Sequence, residues 1–180
     1  MKAHAQPARA VGRWVLDTNA VLDWLVFDDA HMRVPGAWLR AGHAQWLHSA
    51  PMLDELDDVL GRDSVTRRVA QEAQGLREHV FGAARHCGVL LPAAARCAWN
   101  CGDPDDQLFI DLAVQSGASL LLTRDKQLLA LAAHAAGAGL RITRPADLRL
   151  DALPAAADGA TRQSARCPPG STGSTATGPW

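Results

Sequence analysis

A chain of 180 residues in which 48% are hydrophobic can bury the core of one domain, which excludes a wholly disordered polymer. Its formal net charge of −1 excludes a uniformly basic coat for nucleic acid, though a local basic patch stays open. No run reaches the roughly 18 to 20 apolar residues that cross a bilayer, so no membrane contact is expected. Met1 to Gly12 lacks the apolar stretch of a secretory signal, and a cytoplasmic protein is expected.

Of the 18 basic residues only Lys2 and Lys126 are lysine, so basic charge is carried almost entirely by arginine. Cysteines stand at Cys87, Cys97, Cys101 and Cys167. Cys97 and Cys101 are spaced CxxxC rather than CxxC, and no second pair completes a tetrahedral site. Reduced thiols are the expectation for such a chain. The histidines are scattered without ligand spacing, and His43 and His48 are expected at the surface.

In chain order, residues 14–17 read as a short buried strand that ends in an acid. A helix is predicted over 20–27, with Thr18 and Asn19 able to cap it. Residues 28–34 are polar and loop-like, and a short helix is predicted over 36–41. A second strand is expected over 45–48. Ser49 and Pro51 then open a helix that runs to about Leu60 and stops at Gly61. A longer helical region follows from Asp63 or Ser64 to Cys87, with a break near Gly75.

A third strand is predicted at 89–91, an irregular stretch at 93–102, and a helix from Asp103-Pro104 to Gly117. The fourth strand, 120–123, is followed by a turn and a helix over 127–136. A fifth strand at 140–143 and a last helical turn at 145–148 close the pattern. Strands that alternate with helices predict an α/β protein with a parallel, helix-covered sheet. The expected organisation is an extension over 1–12, a domain over 13–149, and an Ala/Gly/Ser/Thr/Pro tail over 150–180 that is read as disordered.

In open α/β sheets, ligands bind beyond the carboxyl ends of the strands. Asp17 follows the first strand directly, where an unpaired buried carboxylate is costly. Thr18 and Asn19 suffice as caps, which makes Asp17 a candidate functional acid. Glu55 shares a helix with Asp54, Asp57 and Asp58. Asp54 and Asp58 point away from the apolar stripe, whereas Glu55 and Asp57 border it on opposite edges, and periodicity does not choose between them. Asp103 fits a helix N-cap, with Asp106 at the third helical position, where acids also favour the helix dipole. Asp125 lies in the turn after the fourth strand and could equally pair with Arg124 or Lys126.

Taken together, these segments resemble the PIN-domain nucleases. Val15-Leu16-Asp17-Thr18-Asn19 is similar to the family's opening signature. Pro51 to Leu60 is similar to its second motif, which aligns the family acid with Glu55. Asp103 to Ala113 is similar to the third and places that acid on Asp106, and Leu121 to Leu129 is similar to the fourth, with Asp125. The resemblance spans residues 13–149 and is strongest to the branch of toxin components from bacterial toxin–antitoxin pairs.

The resemblance implies a three-layer α/β/α sandwich around a parallel sheet of five strands. It implies Mg²⁺ or Mn²⁺ held by Asp17, Glu55, Asp106 and Asp125, which would act as the catalytic set in endonucleolytic cleavage of single-stranded RNA. Asn19, Asp103, Thr123 and Arg124 would support the acids or face substrate. It also implies a cognate antitoxin protein and a homodimer. Arg33, Arg40, Arg62, Arg67 and Arg68 are candidate RNA contacts, although each also reads as ordinary surface charge. Two other readings compete: a phosphatase-like hydrolase with Asp17 as nucleophile, weakened by Asn19 where a second acid is wanted, and a binding module that keeps the fold without cleavage.

Overall fold

The computed structural model describes residues 12–69 and 73–150. The expected N-terminal extension, apart from Gly12, and the expected tail from residue 151 lie outside the described residues, as does Cys167.

Five strands form one sheet: β1 (Gly12–Leu16), β2 (Ala44–Ser49), β3 (Gly88–Leu91), β4 (Leu120–Leu122) and β5 (Arg141–Thr143). Every pairing is parallel and the order is β3-β2-β1-β4-β5. The chain therefore builds outward from β1 in one direction, then returns to build β4 and β5 on its other side. This reversal lies between β1 and β4, where open α/β sheets leave a crevice at the strand ends.

The central strands carry apolar stretches, Trp14-Val15-Leu16, Trp46-Leu47 and Leu120-Leu121-Leu122, because both of their faces are covered. Trp14, Leu16, Trp46, Leu120 and Leu122 point into one core, and Val15, Leu47, Leu121 and Ile142 point into the other. The alternation follows directly from the two-residue period of a strand. The first core is filled from α1 (Thr18–Leu25), α2 (Arg33–Arg40), α3 (Ala50–Leu60), α4 (Asp63–Val69) and α5 (Ala73–Cys87). The second is filled from α6 (Gln107–Ser116), α7 (Lys126–Ala130) and α8 (Ala132–Gly137). The result is the expected three-layer α/β/α sandwich.

Several local expectations are corrected. Asp17, not Thr18 or Asn19, is the N-cap of α1, and its carboxylate accepts from the Ala20 N–H at 2.6 Å. The helix expected from Asp103 begins only at Gln107, with Asp106 at the cap position. Asp103 instead closes a tight turn by accepting from the Asp105 N–H at 2.9 Å. Gly117 ends α6 as expected, at φ 64°, a left-handed conformation that glycine adopts without strain.

The helix predicted over 127–136 divides at Leu131 into α7 and α8. The polar stretch 28–34 holds a 3-10 turn (Ala30–Met32) and the start of α2, with Pro35 tolerated in the first turn of that helix. Gly75 lies inside α5. His48, expected at the surface, is buried at 4% exposure because β2 is an interior strand and α5 covers this position. Its Nε2 lies 3.4 Å from the Ala84 carbonyl of that helix, and burial pulls its pKa below the ordinary value.

Candidate active site

Parallel register sets Leu16 beside Leu122, so the residues that follow, Asp17 and Thr123, meet at the carboxyl edge of the sheet. Asp17 is 2% exposed. Its Oδ1 accepts from the Ala20 N–H, and its Oδ2 accepts from the Thr123 hydroxyl at 2.5 Å. Burial pushes its carboxyl up to about 6, against the opposing pull of the Thr123, Ala20 and Arg124 hydrogen bonds. Asp23 adds a further upward push.

Glu55 projects from the half-buried edge of α3, where the Thr18 hydroxyl donates to its Oε1 at 2.7 Å. Burial raises its pKa, Thr18 and Arg62 oppose that rise, and Asp105 adds to it. Asp57, the acid on the other edge of the stripe, is committed elsewhere: it forms an ion pair with Arg77 of α5 at 2.5 Å. Packing thus gives the two edges of the stripe different partners: Asp57 is paired with α5, whereas Glu55 faces Thr18 at the start of α1. Asp54 and Asp58 are exposed.

Asp106 occupies the cap position of α6 without forming a side-chain cap bond, so its carboxylate is not spent on the helix. Its pKa is pushed up to about 7, first by burial and then by the charges of Asp125, Asp103, Asp17 and Glu55. The acids singled out in the sequence therefore act on one another across this edge. Asp125 has a local role as well: its Oδ1 caps α7 through Gln127 N–H at 2.6 Å and Leu128 N–H at 3.2 Å. Its own N–H donates to the Thr123 hydroxyl oxygen at 2.9 Å, so Thr123 links Asp17 and Asp125.

Among the described residues, no three His, Cys, Asp or Glu side chains converge closely enough to grip one ion directly. An open groove of about 520 Å³ lies between residues 30–35 and 145–150, and none of these acids lines it.

Asn19 is exposed on the first turn of α1. Arg124, which could have paired with Asp125, instead binds Asp23 at 2.9 Å. Of the arginines considered for RNA contact, Arg33 pairs with Asp28 at 3.1 Å and Arg67 with Asp63 at 3.9 Å. Arg40 lies over the Trp24 ring. Arg62 acts on Glu55. The Arg68 side chain lies outside the described residues.

Three functional candidates were missed in the sequence. Asp23 is buried in α1. Its signal is a single acid inside the apolar run Val-Leu-Asp-Trp-Leu-Val. Gln107 and Asp111, both buried, brace the irregular loop that leads to Asp106. Gln107 accepts from the Cys101 N–H at 2.8 Å and donates to the Trp99 carbonyl at 2.9 Å and to Asp111 at 2.7 Å. Asp111 also accepts from the Cys97 N–H at 2.8 Å. Their signal is the spacing Gln107, Ile110, Asp111, Val114, which sets two polar residues within an apolar helical stripe.

The family model for the PIN domain matches residues 13–127, which contain all of these acids. The chain belongs to the PIN-domain family. PIN domains are in general nucleases that use divalent metal ions. The PIN domain seen here is similar in fold to a chain in the crystal structure of VapBC2 from Rickettsia felis bound to a DNA fragment from their promoter. That likeness has a TM-score of 0.51 at 12% identity and covers 73% of this chain and 98% of the other. No curated protein matches the sequence. No helix among the described residues of this PIN domain is long and apolar enough to cross a membrane.

Proposed function

We propose that this PIN domain is a divalent-metal-dependent endoribonuclease acting on single-stranded RNA, with Asp17, Glu55, Asp106 and Asp125 as its catalytic and metal-holding set. The observation that carries the reading is Asp106. It sits at a helix start without capping it, and its carboxyl is driven up to about 7 by burial and by four neighbouring acids. Such mutual repulsion marks a place where a cation is wanted.

The donor chemistry fits Mg²⁺ or Mn²⁺, because every candidate ligand is a hard carboxylate oxygen. Mg²⁺ takes one or two protein carboxylates and keeps several waters, so acids that do not close on one point still suit it. When bound, such an ion lowers the pKa of an attacking water and offsets charge on the phosphate. The chain's own residues supply the placement. Thr123 and the Ala20 N–H hold Asp17, Thr18 holds Glu55, and the bracket of Gln107 and Asp111 fixes the loop before Asp106. Asn19, Asp103 and Arg124 would then lie around the acids as support or substrate contacts.

The likeness in fold to a VapBC2 chain is in keeping with the toxin component of a toxin–antitoxin pair, with a cognate antitoxin as partner. Assembly as a homodimer and residence in the cytoplasm belong to the same proposal, as do a domain over 13–149 and a separate tail.

The test is cleavage of a labelled single-stranded RNA by the purified full chain with Mn²⁺ or Mg²⁺, beside Asp17→Asn and Asp106→Asn. Metal-dependent cleavage lost in both variants is expected. Cleavage that persists in EDTA or in both variants would overturn the proposal.

A further inference from the structure

The Asp23–Arg124 ion pair joins α1 to the turn after β4, and both residues act on Asp17. Asp23 is on α1 and is 3% exposed, in the otherwise apolar stretch Val21-Leu22-Asp23-Trp24-Leu25. Arg124 sits in the turn between Thr123, which donates to Asp17, and Asp125, which caps α7. Its Nη2 reaches Asp23 Oδ1 at 2.9 Å, yet its side chain is 51% exposed against 5% for that of Asp23. The Arg124 backbone also hydrogen-bonds to Asp17. Thus the guanidinium is anchored at one corner on a buried carboxylate whose charge reaches Asp17, and about half of the Arg124 side chain stays exposed.

This arrangement has a cost that calls for an explanation. A buried carboxylate is unfavourable unless paired, and Asp23 moreover raises the pKa of Asp17. If Arg124 needed only to be soluble, a surface turn would hold it without Asp23. A guanidinium carries five N–H donors in a rigid fork that matches phosphate geometry. One is engaged by Asp23, and the exposed end can present others to an anion. A cluster of acids repels a polyanion, so a fixed cation at its edge is what a phosphodiester substrate requires.

We infer that Asp23 is a positioning residue that fixes the Arg124 guanidinium at the edge of the acid cluster, where Arg124 receives a backbone phosphate of the RNA strand. The inference rests on the nuclease reading and adds to it the group that binds substrate and the residue that aims it. Lysine does not substitute at such a position, because an ammonium lacks the fork that can engage a carboxylate and a phosphate together.

The experiment compares wild type with Asp23→Asn, Arg124→Lys, Arg124→Ala and the double variant Asp23→Asn/Arg124→Ala. KM and kcat are read for cleavage of a single-stranded RNA with Mn²⁺. Affinity for the same RNA is read against salt in an Asp106→Asn background, and circular dichroism checks the fold of each variant. Either Asp23→Asn or Arg124→Ala is expected to raise KM about tenfold or more, with kcat less affected. Removing Arg124 lowers the slope of log affinity against log salt by about 0.7, the share of one phosphate on a single strand.

In the Arg124→Ala background, Asp23→Asn changes KM no further, because Asp23 acts through Arg124. A merely structural Asp23 would give additive losses instead, and that result overturns the inference. Wild-type cleavage with unchanged KM and salt slope in the Arg124 variants overturns it too, while leaving the nuclease reading intact. Absence of both RNA cleavage and RNA binding in wild type overturns both. Should Asp23→Asn fail to fold, Arg124→Lys decides: a KM equal to that of wild type overturns the inference.

Discussion

Thr123 donates its hydroxyl hydrogen to Asp17 Oδ2 across 106 residues of sequence, and the same oxygen accepts the Asp125 N–H. One side chain thereby ties the acid at the end of β1 to the acid at the start of α7. The bond also lowers the pKa of Asp17 against the push of burial.

Thr123→Val keeps the shape and removes both bonds. The loss leaves a buried carboxylate with one fewer donor and is expected to destabilise the protein by about 1–3 kcal/mol. The carboxyl of Asp17 should rise further above 6, which moves the acid limb of any pH–rate profile to higher pH. Urea unfolding and a pH–rate series check the two effects; an unchanged acid limb would count against the bond's influence on Asp17.

Stability without metal should fall as pH rises. Asp17 and Asp106 are raised on folding from 3.8 to about 6 and about 7. A carboxyl with a raised pKa binds its proton more tightly in the folded state, so the folded state is favoured while the proton stays on. That contribution is lost as pH climbs from about 4 through the folded values. Denaturant titrations in EDTA at about pH 5 and about pH 8 should show the loss. Asp17→Asn should recover about 1–2 kcal/mol at the higher pH. Wild-type stability that rises across this window would refute the expectation.

Adding Mg²⁺ near neutral pH should reverse the loss by mass action. At about ten times its Kd the ion stabilises the fold by about 1.4 kcal/mol. Thermal unfolding with and without Mg²⁺ measures this, and the shift should shrink in Asp106→Asn. An equal shift in that variant would place the ion elsewhere.

Gln107→Leu tests the bracket beneath Asp106. The change strips partners from the Cys101 N–H, the Trp99 carbonyl and Asp111 at once. A cost of about 2–3 kcal/mol is expected, with faster hydrogen exchange at the Cys101 amide. Unaltered exchange there would show that the loop is held by other contacts.

The sequence by itself determined much of this protein. The apolar runs at Val15-Leu16 and Leu120-Leu121-Leu122 marked strands buried on two faces, and Pro51 and Gly117 marked where helices begin and end. Four acids in order on strand ends and helices supported the family resemblance. Those signals are local, because periodicity and capping involve residues within a turn or two of one another.

Only the tertiary structure decided which residues meet. It set β1 between β2 and β4, so Asp17 touches Thr123, and it paired Glu55 with Thr18 while Arg77 took Asp57. It also gave Asp17 the capping bond expected of Thr18 or Asn19, and set Asp106 rather than Asp103 at the cap position of α6. It drew Arg124 away from its neighbour Asp125 to the buried Asp23. The reason is physical: partners this far apart along the chain are brought together by sheet order and core packing, to which local propensity is blind.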